Sequence, residues 1–196
     1  MCGVVALLEL IRRRREKAGF FTLTFLFTCE TLGALCYLSR FEERVKAQVE
    51  GCIAPEALCN RNRLQFGRSF DGDSQLDRAA SLVFRRRFGS GDGLAFGDLL
   101  QNDDQVFDGP GIFIPSLSIA RSPFDEHHTD ADNLRLFDAD RLRESCDAID
   151  DIVALLDRNV APVPRYKSIP FFTRYGLGRT GSAISSCGAR SSGCSA

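Results

Sequence analysis

The chain has 196 residues, of which 44% are hydrophobic and 26% are charged, a composition typical of a globular domain with its own core. Its formal net charge of −1 gives no overall positive field, which argues against a partner that is nucleic acid or an anionic membrane. The apolar runs at 4–8 and 20–27 are far shorter than the roughly 20 residues that a membrane-spanning helix requires.

The first part of the chain alternates between helix and strand patterns. Apolar residues at helical spacing predict a helix over 3–18. The aromatic and β-branched run at 21–28 predicts a buried strand, and Glu30 lies just past its end. A second helix is predicted over 31–40, followed by a weaker strand over 49–58 that a proline interrupts.

The second part adds two helices, one strand and long connections. The predicted order is a loop over 60–70, a helix over 73–87, a loop over 88–108 with a short helix at 96–100, a strand over 111–120 and an amphipathic helix over 138–159. Residues 165–177 are predicted to be extended. The Gly-, Ser- and Cys-rich end, 178–196, is predicted to be a disordered tail, so the domain is placed at 1–177.

This alternation predicts an α/β fold in which helices cover both faces of a parallel or mixed sheet. Functional sites of such sheets gather beyond the carboxyl ends of the strands. Glu30 follows one predicted strand and His128 follows another. We therefore expect the two side chains to lie on the same rim, close enough to share a metal ion.

The segment 124–133, FDEHHTDADN, contains both histidines of the chain, His127 and His128, among four acidic residues. Neutral imidazole and carboxylate are ligands that suit zinc. The alternative is a polar loop ahead of a helix, in which Asp and Asn serve as turn and capping residues. The decapeptide by itself favours that alternative, and the neighbouring features favour a site.

The eight cysteines form no Cys-x-x-Cys pair. The closest pairs are seven residues apart, which fits no common zinc-finger spacing, and several lie inside apolar runs where a thiol packs as a small hydrophobic group. We therefore predict that the cysteines are reduced and structural, and that the protein is cytoplasmic.

Three segments resemble the zinc aminopeptidase-like proteins, the co-catalytic di-zinc exopeptidases with a phosphorylase/hydrolase-like α/β fold. The nearest resemblance is to a bacterial branch labelled only as a domain of unknown function. The segments are FLFTCETLGALCYLSR at 25–40, DQVFDGPGIFIPSLSIA at 104–120 and FDEHHTDADN at 124–133. The resemblance covers roughly 3–177, and its three motifs occur in the expected order.

The resemblance implies a metal-dependent hydrolase that acts on peptide or amide bonds and holds two zinc ions in intact relatives. His128 corresponds to the terminal metal-binding histidine, Glu30 to a carboxylate that is a catalytic base or a metal ligand, and Glu56 to a further acidic ligand. Glu56 also fits a surface glutamate, and His127 fits a packing residue in place of a tyrosine. Cys29 stands where better-known relatives have a second glutamate, so one carboxylate cannot fill both roles.

In the family, a histidine ligand and a metal-bridging aspartate precede the first helix, and this chain begins at that helix. We therefore expect an N-terminally truncated copy of the domain with weak or no activity. The alternative function is a non-catalytic binding or assembly module that forms a homo-oligomer through exposed apolar surface. A third alternative is an unrelated α/β domain whose histidines are ordinary loop residues.

Overall fold

The computed structural model describes residues 2–100 and 102–159, together with the single residues 163, 167, 171, 174 and 176. The helices are α1 (Cys2–Arg14), α2 (Leu32–Gln48), α3 (Gln75–Phe88), α4 (Asp104–Phe107) and α5 (Ala139–Asp157), and the strands are β1 (Cys52–Pro55), β2 (Arg63–Gly67) and β3 (Ser116–Ser122). A 3₁₀ turn spans Leu134–Leu136. Among the described residues, no helix combines the length and apolar character needed to cross a membrane.

The three strands form one mixed sheet in the order β1-β3-β2. β1 runs parallel to β3 with Cys52 opposite Ser116, and β2 runs antiparallel to β3 with Arg63 opposite Ser122. β3 lies in the centre and is buried along almost its whole length. The predicted α/β class with a mixed sheet is confirmed.

Helices cover both faces of this sheet. One apolar cluster joins α1, α3 and α5 to residues of the strands, including Ile53 of β1. A second cluster joins α2 and α4, and Cys52 of β1 packs against it. Because successive side chains of a strand point to opposite faces, the neighbours Cys52 and Ile53 place the two clusters on opposite sides of the sheet.

Local capping explains why the helix predictions near 73–87 and 138–159 succeed. Ser74 and Asp77 form a capping box at the start of α3, and Gly89 ends that helix in the left-handed conformation at φ 80°. The Asp138 side chain accepts hydrogen bonds from the backbone N–H groups of Asp140 and Arg141 at the start of α5. These signals are local in sequence, so the pattern alone reveals them.

The strand predicted over 21–28 is wrong. These residues form neither a helix nor a strand in the described part of the chain, and Leu23 and Phe27 are exposed. The side chains still alternate as in a strand, since Phe25 packs against the cluster of α1, α3 and α5 while Leu26 packs against the cluster of α2 and α4. The composition favours a strand, but a strand forms only where a neighbour supplies hydrogen-bond partners.

Two connections also differ from prediction. The segment 60–70, predicted to be a loop, contains β2, in which Leu64 and Phe66 are buried at alternate positions. The short helix predicted at 96–100 is wrong, and the helical turn of this connection is α4, which follows a little later at Asp104–Phe107. The alternation of Arg63, Leu64, Gln65 and Phe66 is the two-residue period of a half-buried strand, but a run this short is easily taken for a polar loop.

The prediction that all cysteines are reduced is also wrong, because Cys2 and Cys59 form a disulfide. The free cysteines among the described residues are Cys29, Cys36, Cys52 and Cys146. The cytoplasmic location rested on reduced cysteines and stays a prediction. The predicted extended segment and tail, 165–177 and 178–196, lie almost entirely outside the described residues.

Candidate functional site

Glu30 lies in the turn that leads into α2, and its side chain is exposed. The next residue, Thr31, has a left-handed backbone at φ 58°. The backbone N–H of Thr31 donates a hydrogen bond to Oδ1 of Asp103 at 2.7 Å. The turn that carries Glu30 is therefore fixed to the segment 102–104.

Glu56 follows β1 directly and is half-buried. Its backbone N–H donates to the carbonyl of Ile119 at 3.0 Å, and its Oε2 accepts a hydrogen bond from Nδ2 of Asn102 at 2.7 Å. The same short segment, 102–104, thus contacts both the Glu30 turn and Glu56. The contact to Asp103 is made by Thr31 and the contact to Asn102 by Glu56, and the Glu30 side chain takes part in neither.

The carboxyl of Asp104, in the same segment, is buried. Burial raises the pKa of its carboxyl to about 6, repulsion from Glu56 adds to the rise, and backbone hydrogen bonds from Asn102, Asp104 and Gln105 oppose it. Nearby, burial and the charges of Asp104 and Asp103 raise the pKa of the Cys52 thiol to about 12, so this thiol is a packing group.

Sequence reasoning missed the role of Asn102 and Asp103, which lie in a connection predicted to be a plain loop. The available signal was the run of Asn102, Asp103 and Asp104 immediately before the apolar residues of α4. No strand ends at this run, so the rule that sites follow strands did not point to it.

His128 lies in the turn that follows β3, is exposed, and has a left-handed backbone at φ 61°. Its ring centroid is 3.9 Å from that of His127, which in turn lies 5.7 Å from the ring of Phe124. Because β1 and β3 are parallel, Glu56 and the segment that carries His128 leave the same edge of the sheet. In the described part of the chain, neither histidine makes a hydrogen bond or ion pair with Glu30 or Glu56, so the convergence of Glu30 and His128 stays a prediction.

Positive backbone φ angles occur at one predicted site residue and directly after two others. Four non-glycine residues of the described chain have positive φ, namely Thr31, Ala57, Phe113 and His128. Thr31 follows Glu30, Ala57 follows Glu56, and His128 is itself a predicted ligand. Such conformations cost on the order of 1–3 kcal/mol each and cluster at functional sites.

A cavity of about 590 Å³ adjoins this region between α2 and the α4 segment. Thr31 and Asn102 line one part of it, and Leu35, Leu38, Val106 and Ile112 supply apolar lining. It is a cleft open to solvent, with apolar walls and a few polar groups.

The donor set does not fit a zinc ion by itself. A catalytic zinc site requires about three protein ligands. Over residues 2–100 and 102–159, no group of three or more His, Cys, Asp or Glu side chains is placed so that it could hold a metal. Asp103 and Glu56 are instead engaged by Thr31 and Asn102 through hydrogen bonds.

Solved structures with a similar fold include two aminopeptidases and a protein described as a peptidase. A protein from Clostridium acetobutylicum, described as a "putative peptidase", matches with a TM-score of 0.73 and 23% identity over 81% of this chain and 37% of its own. BSAP, a zinc aminopeptidase from Bacillus subtilis, matches with a TM-score of 0.62 and 16% identity over 83% of this chain and 42% of its own. An aminopeptidase from Aneurinibacillus sp. strain AM-1 matches with a TM-score of 0.55 and 18% identity over 68% of this chain and 33% of its own.

Sequence comparison gives a relative and a family. A Clostridium acetobutylicum protein named "Putative polysaccharide biosynthesis protein with aminopeptidase-like domain" is 29% identical over 165 residues, 79% of this chain. The match spans only 36% of that relative's length. The family model described as "Domain of unknown function (DUF4910)" matches residues 1–159. The chain therefore belongs to this domain family, and it has the fold of the zinc aminopeptidase-like proteins.

Proposed function

We propose that this chain is a peptidase-like hydrolase domain that acts on peptide or amide bonds. The observation that carries the proposal is the left-handed backbone beside Glu30, beside Glu56 and at His128. The three residues were selected from sequence motifs, and the strain is an independent property of the backbone. The zinc aminopeptidases with the same fold support the reaction class.

In this proposal Glu30 is the general base, since its side chain is exposed and it directly precedes Thr31, which lines the cavity. A positioned carboxylate that removes a proton from the attacking water contributes typically 10²–10⁴-fold to the rate. The cavity would receive the substrate, a peptide or small amide, with its apolar side chains against Leu35 and Val106.

A metal-dependent form of this activity is the alternative, with His128, Glu30 and Glu56 as ligands and the two zinc ions that the family resemblance implies. We derive no step of the reaction through zinc, because the described residues do not fit the ion. Calorimetric titration tests this point, and we expect no zinc binding in the nanomolar range that closed structural sites reach. Nanomolar zinc binding that is lost in His128→Ala would show that these three side chains can bind the metal together, and it would contradict the separation seen in this structure.

Hydrolysis of a panel of amino-acid amides with a free amino group tests the reaction. We expect slow turnover by the wild-type chain and a loss of at least about 100-fold in kcat/KM for Glu30→Gln. Glu43→Gln is the matched control, because Glu43 is an exposed glutamate on α2. Equal turnover in wild type and Glu30→Gln would show that Glu30 is not the catalytic base. Absence of turnover in the wild type would show that this chain does not hydrolyse these amides.

The second candidate is a non-catalytic binding or assembly module. Exposed apolar side chains favour it, among them Phe20 and Leu32, which are 75% and 71% exposed, and Leu23, Phe27 and Leu35. Light scattering coupled to size exclusion tests it, and the module predicts a homo-oligomer that dissociates on dilution. A monomer that turns over amides would exclude this candidate.

A further inference from the structure

The segment 124–137, termed here the histidine loop, is held to the rest of the described chain only at its two ends. Within the described residues, each hydrogen bond of this loop joins two of its own members, such as His127 N–H to the carbonyl of Phe124 and Thr129 N–H to that of Glu126. No ion pair links it to another described segment. The position of His128 therefore depends on the residues that flank the loop.

One short segment, residues 57–62, binds the entry to this loop and is termed the clamp loop. The guanidinium of Arg121 donates from Nε to the carbonyl of Leu58 at 3.0 Å and from a terminal nitrogen to the carbonyl of Asn62 at 2.8 Å. The Asn60 side chain donates to the carbonyl of Arg121 at 3.1 Å, and the Asn62 side chain donates to that of Pro123.

The same clamp loop binds the exit from the histidine loop. The backbone N–H of Asp138 donates to the carbonyl of Cys59 at 2.8 Å. The Ser145 hydroxyl on α5 donates to the carbonyl of Leu58 at 3.0 Å. Both ends of the histidine loop thus meet on six consecutive residues.

The disulfide between Cys2 and Cys59 ties the clamp loop covalently to the first residue of α1. Cys59 is 8% exposed and Cys2 is half-buried, so the bond is partly shielded. α1 is in turn fixed to α5 through Arg14, which pairs with Asp150 at 2.5 Å and with Asp157 at 3.0 Å. The clamp loop is therefore held between α1 and α5.

We propose that the Cys2–Cys59 disulfide is a redox switch that sets the position of the histidine loop. A dithiol reductant supplies the two electrons. Its thiolate attacks one sulfur, the other sulfur leaves as a thiolate that takes up a proton, and the second thiol of the reductant then resolves the mixed disulfide. The reductant becomes a disulfide and the two cysteines become thiols. Reduction frees the clamp loop from α1 and loosens both ends of the histidine loop.

Hydrogen exchange tests the switch on the oxidised wild type and on the double variant Cys2→Ser/Cys59→Ser. We expect the amide of Asp138 to exchange at least about tenfold faster in the variant, and trypsin to cleave faster after the exposed Arg135 by a similar factor. The amide of Val83 in α3 should be unchanged. Cys36→Ser is the matched control, because Cys36 is an exposed free cysteine on α2.

Three results would overturn the proposal. One is alkylation of both Cys2 and Cys59 in protein never exposed to reductant. Another is equal exchange at Asp138 in the variant and the wild type. The third is a variant in which Val83 exchanges as fast as Asp138, because the disulfide would then hold the whole fold and not this loop. Wild-type protein reduced with dithiothreitol under native conditions repeats the comparison without substitutions.

Discussion

At the scale of the residue, buried charge determines how the candidate site is held. Arg121 is 1% exposed, and its guanidinium donates to three carbonyls and to Oε2 of Glu144 at 2.6 Å. Burial acts to raise the pKa of Glu144, but hydrogen bonds from Arg121 and Arg141 outweigh it and keep that pKa below its ordinary value. Each of the three guanidinium nitrogens of Arg121 thus donates to at least one acceptor.

We predict that Arg121→Ala lowers the free energy of unfolding by about 3–5 kcal/mol, because it leaves buried carbonyls and Glu144 without their donor. Arg143→Ala is the control, since Arg143 pairs with Asp140 on the exposed face of α5 and should cost at most about 1 kcal/mol. Urea denaturation measures both. Equal losses for the two variants would show that the buried hydrogen bonds of Arg121 contribute little.

Asp104 gives a prediction about pH. Its folded pKa of about 6 lies above the unfolded value of about 4, so the unfolded chain releases this proton first as the pH rises. This carboxyl therefore lowers stability progressively between about pH 4 and pH 6, by on the order of 2 kcal/mol at neutral pH.

Asp104→Asn removes that titration, so its stability relative to wild type should rise between pH 4 and pH 7. Asp98→Asn, at an exposed position, should show no such rise. Chemical denaturation at several pH values measures the difference. A constant offset between Asp104→Asn and wild type at all pH values would contradict the raised pKa.

The residues of the site were partly predictable from the sequence. The rule that sites lie beyond strand ends was applied to Glu30 and His128; His128 does follow β3, but the run before Glu30 forms no strand in the described chain, and Glu56, which follows β1, came from the family resemblance. Asn102 and Asp103 were not predicted because they act through distant partners. Asp103 contacts Thr31, 72 residues away in sequence, and Asn102 contacts Glu56, 46 residues away. Only the folded chain reveals such partners.

At the scale of the element, ion pairs reinforce the contact between α1 and α5. Arg14 is largely buried and bonds to Asp150 through its carboxylate and its carbonyl, and to the carboxylate of Asp157. Arg12, two residues earlier, pairs only with Glu9 of its own helix and is exposed. The arginine run at the end of α1 therefore contains residues of different roles.

We predict that Arg14→Ala lowers the free energy of unfolding by roughly 2–3 kcal/mol, since it leaves the half-buried Asp157 without its arginine and Asp150 with only the distant Lys17 at 3.9 Å. Arg12→Ala should cost at most about 1 kcal/mol. Thermal denaturation at low and high salt measures both. A small effect of Arg14→Ala would contradict the ionic link between the two helices.

Helices were predicted better than strands, for a physical reason. Helical hydrogen bonds and caps are local, so the spacing of apolar residues and a cap such as Ser74 suffice to indicate α3. A strand depends on a distant partner. The run 21–28 has strand composition without a ladder, whereas β2 has a polar composition and pairs with β3 across some 55 residues.

At the scale of the whole molecule, the fold alone does not decide the activity. The chain spans about a third of the curated relative that it matches, and the activity of that longer protein is not thereby its own. In the described residues the segment 102–104 contacts both Thr31 and Glu56, a cavity is lined by Thr31 and Asn102, and the histidine loop follows the strand parallel to the one that Glu56 follows. The central claim is that Glu30 and His128 act in one site.

A double-mutant cycle on amide hydrolysis tests that claim most directly. The values of kcat/KM are measured for wild type, Glu30→Gln, His128→Ala and the double variant. Residues that act as one unit show strongly non-additive losses, so we expect the double variant to lose no more than the worse single variant. If the fold-losses in kcat/KM of the single variants multiply in the double variant, the two residues act independently. Single variants with the kcat/KM of the wild type would show that neither residue belongs to the site.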